Sequence, residues 1–516
     1  MIAWRERIPV ASPIVVLKEP LLEFRYGQAM VDPHDGLSIF GPYDTDLSSH
    51  PQNISYGVIG TQNGIELLSG WTKDVMIGPC REVESKDNLW PPFPGFEAAF
   101  HSRWANGPTK THILNSEDLI YLSRNRNPYE RTSSIVEKYT DGIAKFQLQD
   151  ESIDVLLCIV PDEVWKNCRS ESVIVDGWGD KPSKRFRTGA LKGQRSIDGE
   201  WDPDTYRYSV DFRRQIKAKC MHQKASFQNN QSVPIQIIRE STLAIVEEDL
   251  NHRRGLTPVS DRAWNLSTTL YYKAGGKPWR LASARDGVCY IGITYKKTEP
   301  EKKSRTACCA AQMFLNSGDG VVFLGDTGPW YSPENDEYHL SREAARKLLD
   351  GVLSKYSMLE GKPLKEIFLH CRSEINGDEF GGFGEACPKG VKLVGIRVRL
   401  DNEVKIYRKG KWPIPRGTFM KKSEFEGYLW ANGFKWRLET YDGWQVPRPV
   451  KIDIMHGDAS IDQVASDILS LTKLNYNACK LGSSEPVTIG FSDAVGEILV
   501  SNPLVRDPSP LFKYYI

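Results

Sequence analysis

From about Thr111 onward, short apolar runs alternate with longer segments of helical periodicity, and few chain topologies accommodate that order. Residues 116–123 and 133–146 read as helices, 153–161 as a buried strand, 210–221 as a helix and 233–238 as another strand. Strands separated by helices need crossover connections, so the expected fold class is α/β with a parallel sheet.

The second half repeats the theme. Residues 289–295, 307–315 and 320–324 predict an antiparallel meander, and 341–356 a helix with Ser341 as N-cap and Glu343 in its first turn. Strands are expected at 367–371 and 393–400, then a helix at 461–474, a strand at 486–491 and a helix at 493–499. The last six residues, Leu511 to Ile516, are too apolar for a free tail and should tuck inside. The first hundred, rich in glycine, proline and aromatics, read as short strands and loops packed on the rest, with Leu37 to Tyr43 an apolar run closed by a turn. Residues 181–205, charged and rich in glycine, read as a mobile surface loop.

A chain of 516 residues exceeds one ordinary core and predicts two or three domains. Its net charge of +1 excludes a protein coated in basic surface, so any nucleic-acid contact must be a local channel. The ten cysteines include no C-x-x-C pair, the usage of reduced, buried thiols and not of a zinc site. Pro9 and Pro13 interrupt the N-terminal apolar stretch, which therefore reads as neither signal peptide nor membrane span, and a cytoplasmic protein is expected.

Against that balanced background, residues 212–239 hold six Lys or Arg and no Asp or Glu. Arg213 and Lys217 are four apart, so they share a helix face and can converge on one anion, phosphate being the natural one. Gln236 closes the strand-like Val233-Pro234-Ile235-Gln236, from which its amide reaches the same point. A merely solvated helix face has the same spacing and is the commoner case for an arbitrary helix. Lys273 ends a helix before Gly275-Gly276, where a lysine is ordinarily a partner of the helix dipole. Gly381-Gly382-Phe383-Gly384 lacks the spacing of a phosphate loop, so no nucleotide cofactor is indicated.

Trp264-Asn265-Leu266 through Lys273-Ala274-Gly275-Gly276-Lys277-Pro278-Trp279, followed by Tyr290-Ile291-Gly292-Ile293, resembles the junction between the MID and PIWI domains of prokaryotic Argonautes. Arg416-Gly417-Thr418-Phe419, Gly427-Tyr428-Leu429-Trp430 and Thr440-Tyr441-Asp442-Gly443-Trp444 look Argonaute-like too. So do Leu471 to Asn477 and Glu485 to Ile489, the family's closing helix and strand. With no room ahead for further domains, the chain resembles a short prokaryotic Argonaute, a class that pairs with a separate protein carrying an APAZ region and an effector domain. The implied architecture is a Rossmann-like MID domain followed by a ribonuclease H-like PIWI domain. Residues 1–110 would be an N-terminal segment packed on both, 111–284 the MID domain and 285–516 the PIWI domain.

The resemblance implies roles. Arg213, Lys217, Gln236 and Lys273 match the positions that hold the 5′-phosphate of a guide strand. A magnesium ion there would be held by the terminal carboxylate at Ile516 together with Gln236. Of the metal-binding side chains with which active relatives cleave, the first falls on Thr294 and the second on Arg372; only Asp493, at the last, is a carboxylate. One carboxylate does not place two magnesium ions, so no catalytic residue and no slicing are expected.

The implied protein binds guide RNA, pairs it with single-stranded DNA, and switches on its APAZ partner. That partner would bear a TIR or sirtuin-like domain that depletes NAD, less often a nuclease, in defence against plasmids or phage. The alternative is a self-sufficient metal-dependent nuclease using Asp493 with Asp326 or Asp378, although these two read as lying in a turn and a polar loop. A structural subunit that binds no guide is a third reading.

Overall fold

The computed structural model describes residues 14–80, 88–147, 152–191, 194, 201–220, 233–245, 257–283, 285–297, 307–314, 320–359, 363–501 and 509–516. Two sheets organise them, one of four strands and one of nine. Strand β1 (Ile14–Val16) belongs to the large sheet. Strands β2 (Tyr56–Thr61), β3 (Lys110–Leu114), β4 (Val155–Val160) and β5 (Ile235–Arg239) form the small one. The large sheet continues with β6 (Val288–Lys297), β7 (Ala307–Phe314), β8 (Gly320–Gly328), β9 (Glu366–Cys371), β10 (Lys392–Leu400), β11 (Thr418–Lys421), β12 (Glu426–Trp430) and β13 (Val450–His456). The principal helices packed on the two sheets are α1 (Pro128–Gln147), α2 (Phe212–Cys220), α3 (Val259–Lys273), α4 (Arg342–Leu359), α5 (Gly377–Ala386), α6 (Ile461–Leu471) and α7 (Val487–Leu499).

The small sheet runs β3-β2-β4-β5, all parallel. Every residue of β4 is buried, as a strand covered on both faces requires. Leu156, Cys158 and Val160 pack into one layer with Ile135 and Tyr139 of α1 and Phe212 and Ile216 of α2. Val155, Leu157 and Ile159 point the other way, into a core shared with Trp71 and Trp264. Strand β2 lies within 1–110, the stretch read as a packing segment, yet it is an inner strand of this sheet.

The large sheet runs β1-β11-β12-β13-β10-β9-β6-β7-β8. Strands β6, β7 and β8 form the expected antiparallel meander, while β6, β9 and β10 are parallel. One face packs under α4 and α5 through Cys289, Ile291 and Ile293. On the other face α7 crosses β6 at Gly292, where an added Cβ would lie 1.8 Å from the Thr488 carbonyl oxygen. Only glycine permits that approach.

Several local expectations change. Residues 486–491 are not a strand: Pro486 caps α7, and Thr488, Ser492, Val495 and Leu499 are buried at helical spacing against the sheet. Tertiary burial overrides the strand preference of Val487, Thr488 and Ile489. Within 181–205 the segments Lys184–Leu191 and Pro203–Arg207 are helical, held by Phe186, Trp201 and Tyr206, whose ring centroids lie 5.5 to 5.9 Å apart; residues 192–193 and 195–200 lie outside the described set. Asp326 sits on β8 and not in a turn. Asp378 sits in the first turn of α5, where Asn376 and Glu379 form a capping box, and not in a loop. Pro33–Ile39 is a short helix capped by Asp32, where a run closed by a turn was expected.

Candidate functional site

Helix α2 buries Phe212 and Ile216 against the small sheet, and the same burial carries Lys217 inward to 3% exposure. Lys273, in the last turn of α3, is fully buried. The chain turns away after it through Gly275 at φ +103°, and the Gly276 amide donates to the Tyr271 carbonyl at 3.0 Å. The tail does tuck inside, with Phe512, Tyr514, Tyr515 and Ile516 all buried.

These elements meet at one point. Lys273 Nζ donates to the backbone oxygen of Ile516 at 2.5 Å and to that of Ile235 at 2.7 Å. Lys217 Nζ donates to the same Ile516 oxygen and to the Tyr515 carbonyl at 3.0 Å. Among the described residues neither lysine pairs with an Asp or Glu side chain, and the oxygen they share is that of Ile516, the last residue of the sequence. Burial pulls Lys273 down to about 7, with Arg213 adding to the effect. Burial also holds Lys217 well below the lysine range, reinforced by the neighbouring charges of Lys273 and Arg213. The Arg213 guanidinium is lowered too, chiefly by burial, with Asp211 opposing. Arg213, Lys217 and Lys273 thus stand close enough to lower one another's affinity for a proton, with the Ile235 and Tyr515 carbonyls and the Ile516 oxygen as acceptors.

Gln236 stands at the edge of this cluster and is not joined to it: its Nε2 donates to the Ile237 carbonyl at 3.1 Å, while its neighbour Ile235 accepts from Lys273. The Ile516 oxygen is engaged by two ammonium groups. In this arrangement the Ile516 oxygen fits cationic side chains and not a magnesium ion, which needs several oxygen ligands of its own.

The second locus lies where α7 crosses β6. Gly292, Thr294 and Lys296 alternate onto the face under this helix. Thr294 Oγ1 donates to Asp493 Oδ1 at 3.0 Å. Arg372, just past β9, brings its Nε to 3.0 Å from Asp493 Oδ2, in poor alignment for a hydrogen bond, and its Nη1 to 3.1 Å from Glu485 Oε1. Lys296 Nζ lies 3.4 Å from Asp493 and 3.7 Å from Glu497, which in turn pairs at 2.7 Å with Arg214 of α2. Three cations and three carboxylates thus alternate around Thr294, the cluster in which only Asp493 was expected as a carboxylate. Sequence reading missed Lys296 and Glu497, though their spacing from Thr294 and Asp493, two along a strand and four along a helix, put them on the same faces.

The carboxylates of the nuclease alternative are not gathered here. Asp326 is exposed and lies 3.9 Å from Lys347, and Asp378 is exposed at the start of α5. Among the described residues no three His, Cys, Asp or Glu stand close enough to hold a metal ion. His370 is buried against the Thr488 hydroxyl at 2.8 Å and pushed by burial down to about 3. Among the described residues no helix is long and apolar enough to cross a membrane.

No family model matches the chain. The curated protein argonaute of Aquifex aeolicus (strain VF5) is 23% identical over 240 residues, covering 46% of this chain and 31% of that protein. Clostridium butyricum Argonaute bound to a guide DNA and a 19-mer target DNA superposes with a TM-score of 0.61 at 16% identity, covering 96% of this chain and 54% of that one. A. aeolicus Argonaute with externally bound siRNA gives a TM-score of 0.54 at 15% identity, over 97% and 55%. The chain spans about half the length of these solved structures and about a third of the curated relative. At these identities the likeness shows the fold: this chain has the mixed α/β architecture, with its large multistranded sheet, of the MID and PIWI portion of Argonaute structures.

Proposed function

We propose that this Argonaute-like chain is a guide-binding protein that recognises a target without cutting it. The observation that carries the reading is the convergence of Lys217 and Lys273, buried and without an Asp or Glu partner among the described residues, on the oxygen of Ile516, with Arg213 beside them. A strand's terminal phosphate carries nearly two negative charges and several acceptor oxygens, so it rewards such a pocket far more than a mid-chain phosphodiester does. Arg213, Lys217 and Lys273 supply the charge, and Gln236 supplies an amide at the edge. The guide strand is RNA and its target single-stranded DNA, selected by base pairing.

Asp493, held by Arg372 and Lys296, is a structural ion and not a metal ligand. The output is then conformational. Target pairing is transmitted to an APAZ-bearing partner whose TIR or sirtuin-like domain depletes NAD, in cytoplasmic defence against plasmids or phage. Support for that part is the resemblance of the chain to short Argonautes together with the cation-filled centre.

Binding of 5′-phosphorylated and 5′-hydroxyl RNA of one sequence tests the reading. The wild-type protein should prefer the phosphorylated strand, and Lys217→Met with Lys273→Met should abolish the preference. Equal affinity of wild type for both strands would sink it. Cleavage of complementary DNA with magnesium or manganese, lost on Asp493→Ala, would restore the nuclease reading. Co-purification with the protein encoded alongside tests the partner.

A further inference from the structure

The connections flanking β11 and β12 carry a surface that the phosphate pocket does not account for. Between β10 and β11, residues Val404 and Ile406 pack against Ile414, Tyr428 and Trp430, so alternation turns Lys405 and Tyr407 outward. The next residues, Arg408, Lys409 and Lys411, are exposed and broken by Gly410 at φ +121°, which turns the chain. Between β12 and β13, Trp436 is 65% exposed and Trp444 fully so, while Tyr407 is 72% exposed. The two connections touch. Arg408 lies over the Phe434 and Trp436 rings at 5.1 and 5.9 Å, and Lys411 over Trp412 at 4.6 Å.

Large aromatic rings left in water are costly and mark contact surfaces. This set is interleaved with cations, and the nearby acids are largely engaged. Asp442 pairs with buried Lys435 at 2.9 Å, Asp35 pairs with Arg437 at 2.7 Å, and Asp401 caps the amides of Glu403 and Val404, leaving Glu403 and Glu439 as opposing charges among the described residues of the two connections. Flat rings alternating with cations match a ligand made of flat rings alternating with anions, namely a single nucleic-acid strand.

Its place in the fold agrees. Ile293 of β6 stands opposite Cys371 of β9, Cys371 opposite Arg397 of β10, and Leu400, which ends β10, opposite Val450, which begins β13. Both connections therefore leave the large sheet at the end where Thr294 and Arg372 stand.

We infer that Tyr407, Trp436 and Trp444, with Arg408, Lys409 and Lys411, form a second nucleic-acid contact that grips an unpaired strand by base stacking and backbone charge, independently of any terminal phosphate. The inference rests on the proposed function only in expecting nucleic acid at this end of the sheet.

The test uses the full chain and fluorescein-labelled oligo(dT) and oligo(U) with 5′-hydroxyl ends, which bypass the pocket of Lys217 and Lys273. Wild type should bind both, with quenching of tryptophan fluorescence. Tyr407→Ala with Trp444→Ala should weaken binding by about tenfold or more. Lys409→Gln with Lys411→Gln should lower the slope of log affinity against log salt by about 1.4, or ~0.7 per phosphate contact. Trp436→Tyr should retain binding that Trp436→Ala loses, and thermal melts verify that each variant folds. Unchanged affinity in the aromatic variants would overturn the inference. So would an absence of 5′-hydroxyl strand binding by wild type, which would assign the surface to a protein partner. Loss of phosphate preference in the Lys217 and Lys273 variants, with oligo(dT) binding intact, separates the two sites.

Discussion

Arg372 Nε stands 3.0 Å from Asp493 Oδ2, so a guanidinium occupies the side of the carboxylate that a metal ion would have to approach. Lys296 closes the other oxygen at 3.4 Å. A divalent cation placed there would face two fixed positive charges as well as a shortage of ligands.

Restoring carboxylates should reverse this. Thr294→Asp combined with Arg372→Asp surrounds Asp493 with oxygen donors, and the variant should bind Mn2+ measurably by electron paramagnetic resonance where the parent shows none. Because the Arg372 and Asp493 side chains are partly exposed, at 41% and 32%, the lost ion pair itself should cost under about 1 kcal/mol.

Lys273 gives the protein a pH signature. Its folded pKa, about 7, lies below its ordinary 10.5, so between those values the unfolded chain holds a proton that the folded chain has released. Stability of the ligand-free protein should therefore rise as pH increases from about 7 toward 10.5, and denaturant midpoints above and below pH 7 check the sign. Lys273→Met should reduce the dependence, with Lys217, also held below the lysine range, supplying a remaining rise of the same sign.

Binding of a terminal phosphate should favour the charged form of Lys273 and take up protons above pH 7. Titration calorimetry in buffers of different ionisation enthalpy reads that uptake directly, and affinity for 5′-phosphorylated RNA should fall as pH climbs past 7.

Helix α7 provides a paired test of packing. At Gly292 a methyl would meet the Thr488 carbonyl at 1.8 Å and the Ser492 hydroxyl at 2.3 Å, so Gly292→Ala should destabilise by at least about 1–3 kcal/mol. At Gly490, on the helix itself, nothing lies within 4 Å of an added Cβ, and Gly490→Ala should stabilise by about 0.5–1 kcal/mol. Urea denaturation of both variants measures the contrast.

Arg416 ties the start of the described chain to the large sheet. Almost fully buried, it pairs with Glu19 at 3.0 Å, donates to the Thr472 hydroxyl at 2.6 Å and bonds the Ala431 carbonyl. Burial opposes the charge of Glu19, but Arg416 and Lys473 outweigh it and hold the carboxyl below its usual range. Arg416→Ala should cost about 3–5 kcal/mol, and adding Glu19→Gln should not recover it, because buried Lys473 also pairs with Glu19 at 3.2 Å, as a double-mutant cycle in denaturant would show.

Strand β4 was legible because six consecutive apolar residues leave a short segment little choice but burial on both faces. The helix ending at Lys273 was legible from its paired glycines, and the inward tail from its aromatics. Helix α7 was not. Val487, Thr488 and Ile489 favour a strand locally, and only the fit of Gly292 under the Thr488 carbonyl shows why a helix lies there. The helices within 181–205 were missed because charge masked the three aromatic rings that pin them.

By itself the sequence determined the inventory: a segment with cations and no acids, a lysine before two glycines, and a threonine and an arginine at 294 and 372. Side-chain chemistry and local periodicity are properties of short stretches, and they survive without the fold. Tertiary structure alone decided that Lys217 and Lys273 reach the same oxygen of Ile516, that Gln236 stays at the edge, and that Arg372 and Lys296 close on Asp493. Those contacts join residues from distant parts of the chain. The distance between them is set by how Phe212, Ile216, Tyr515 and Gly292 bury against the two sheets, and spacing along the chain does not encode it.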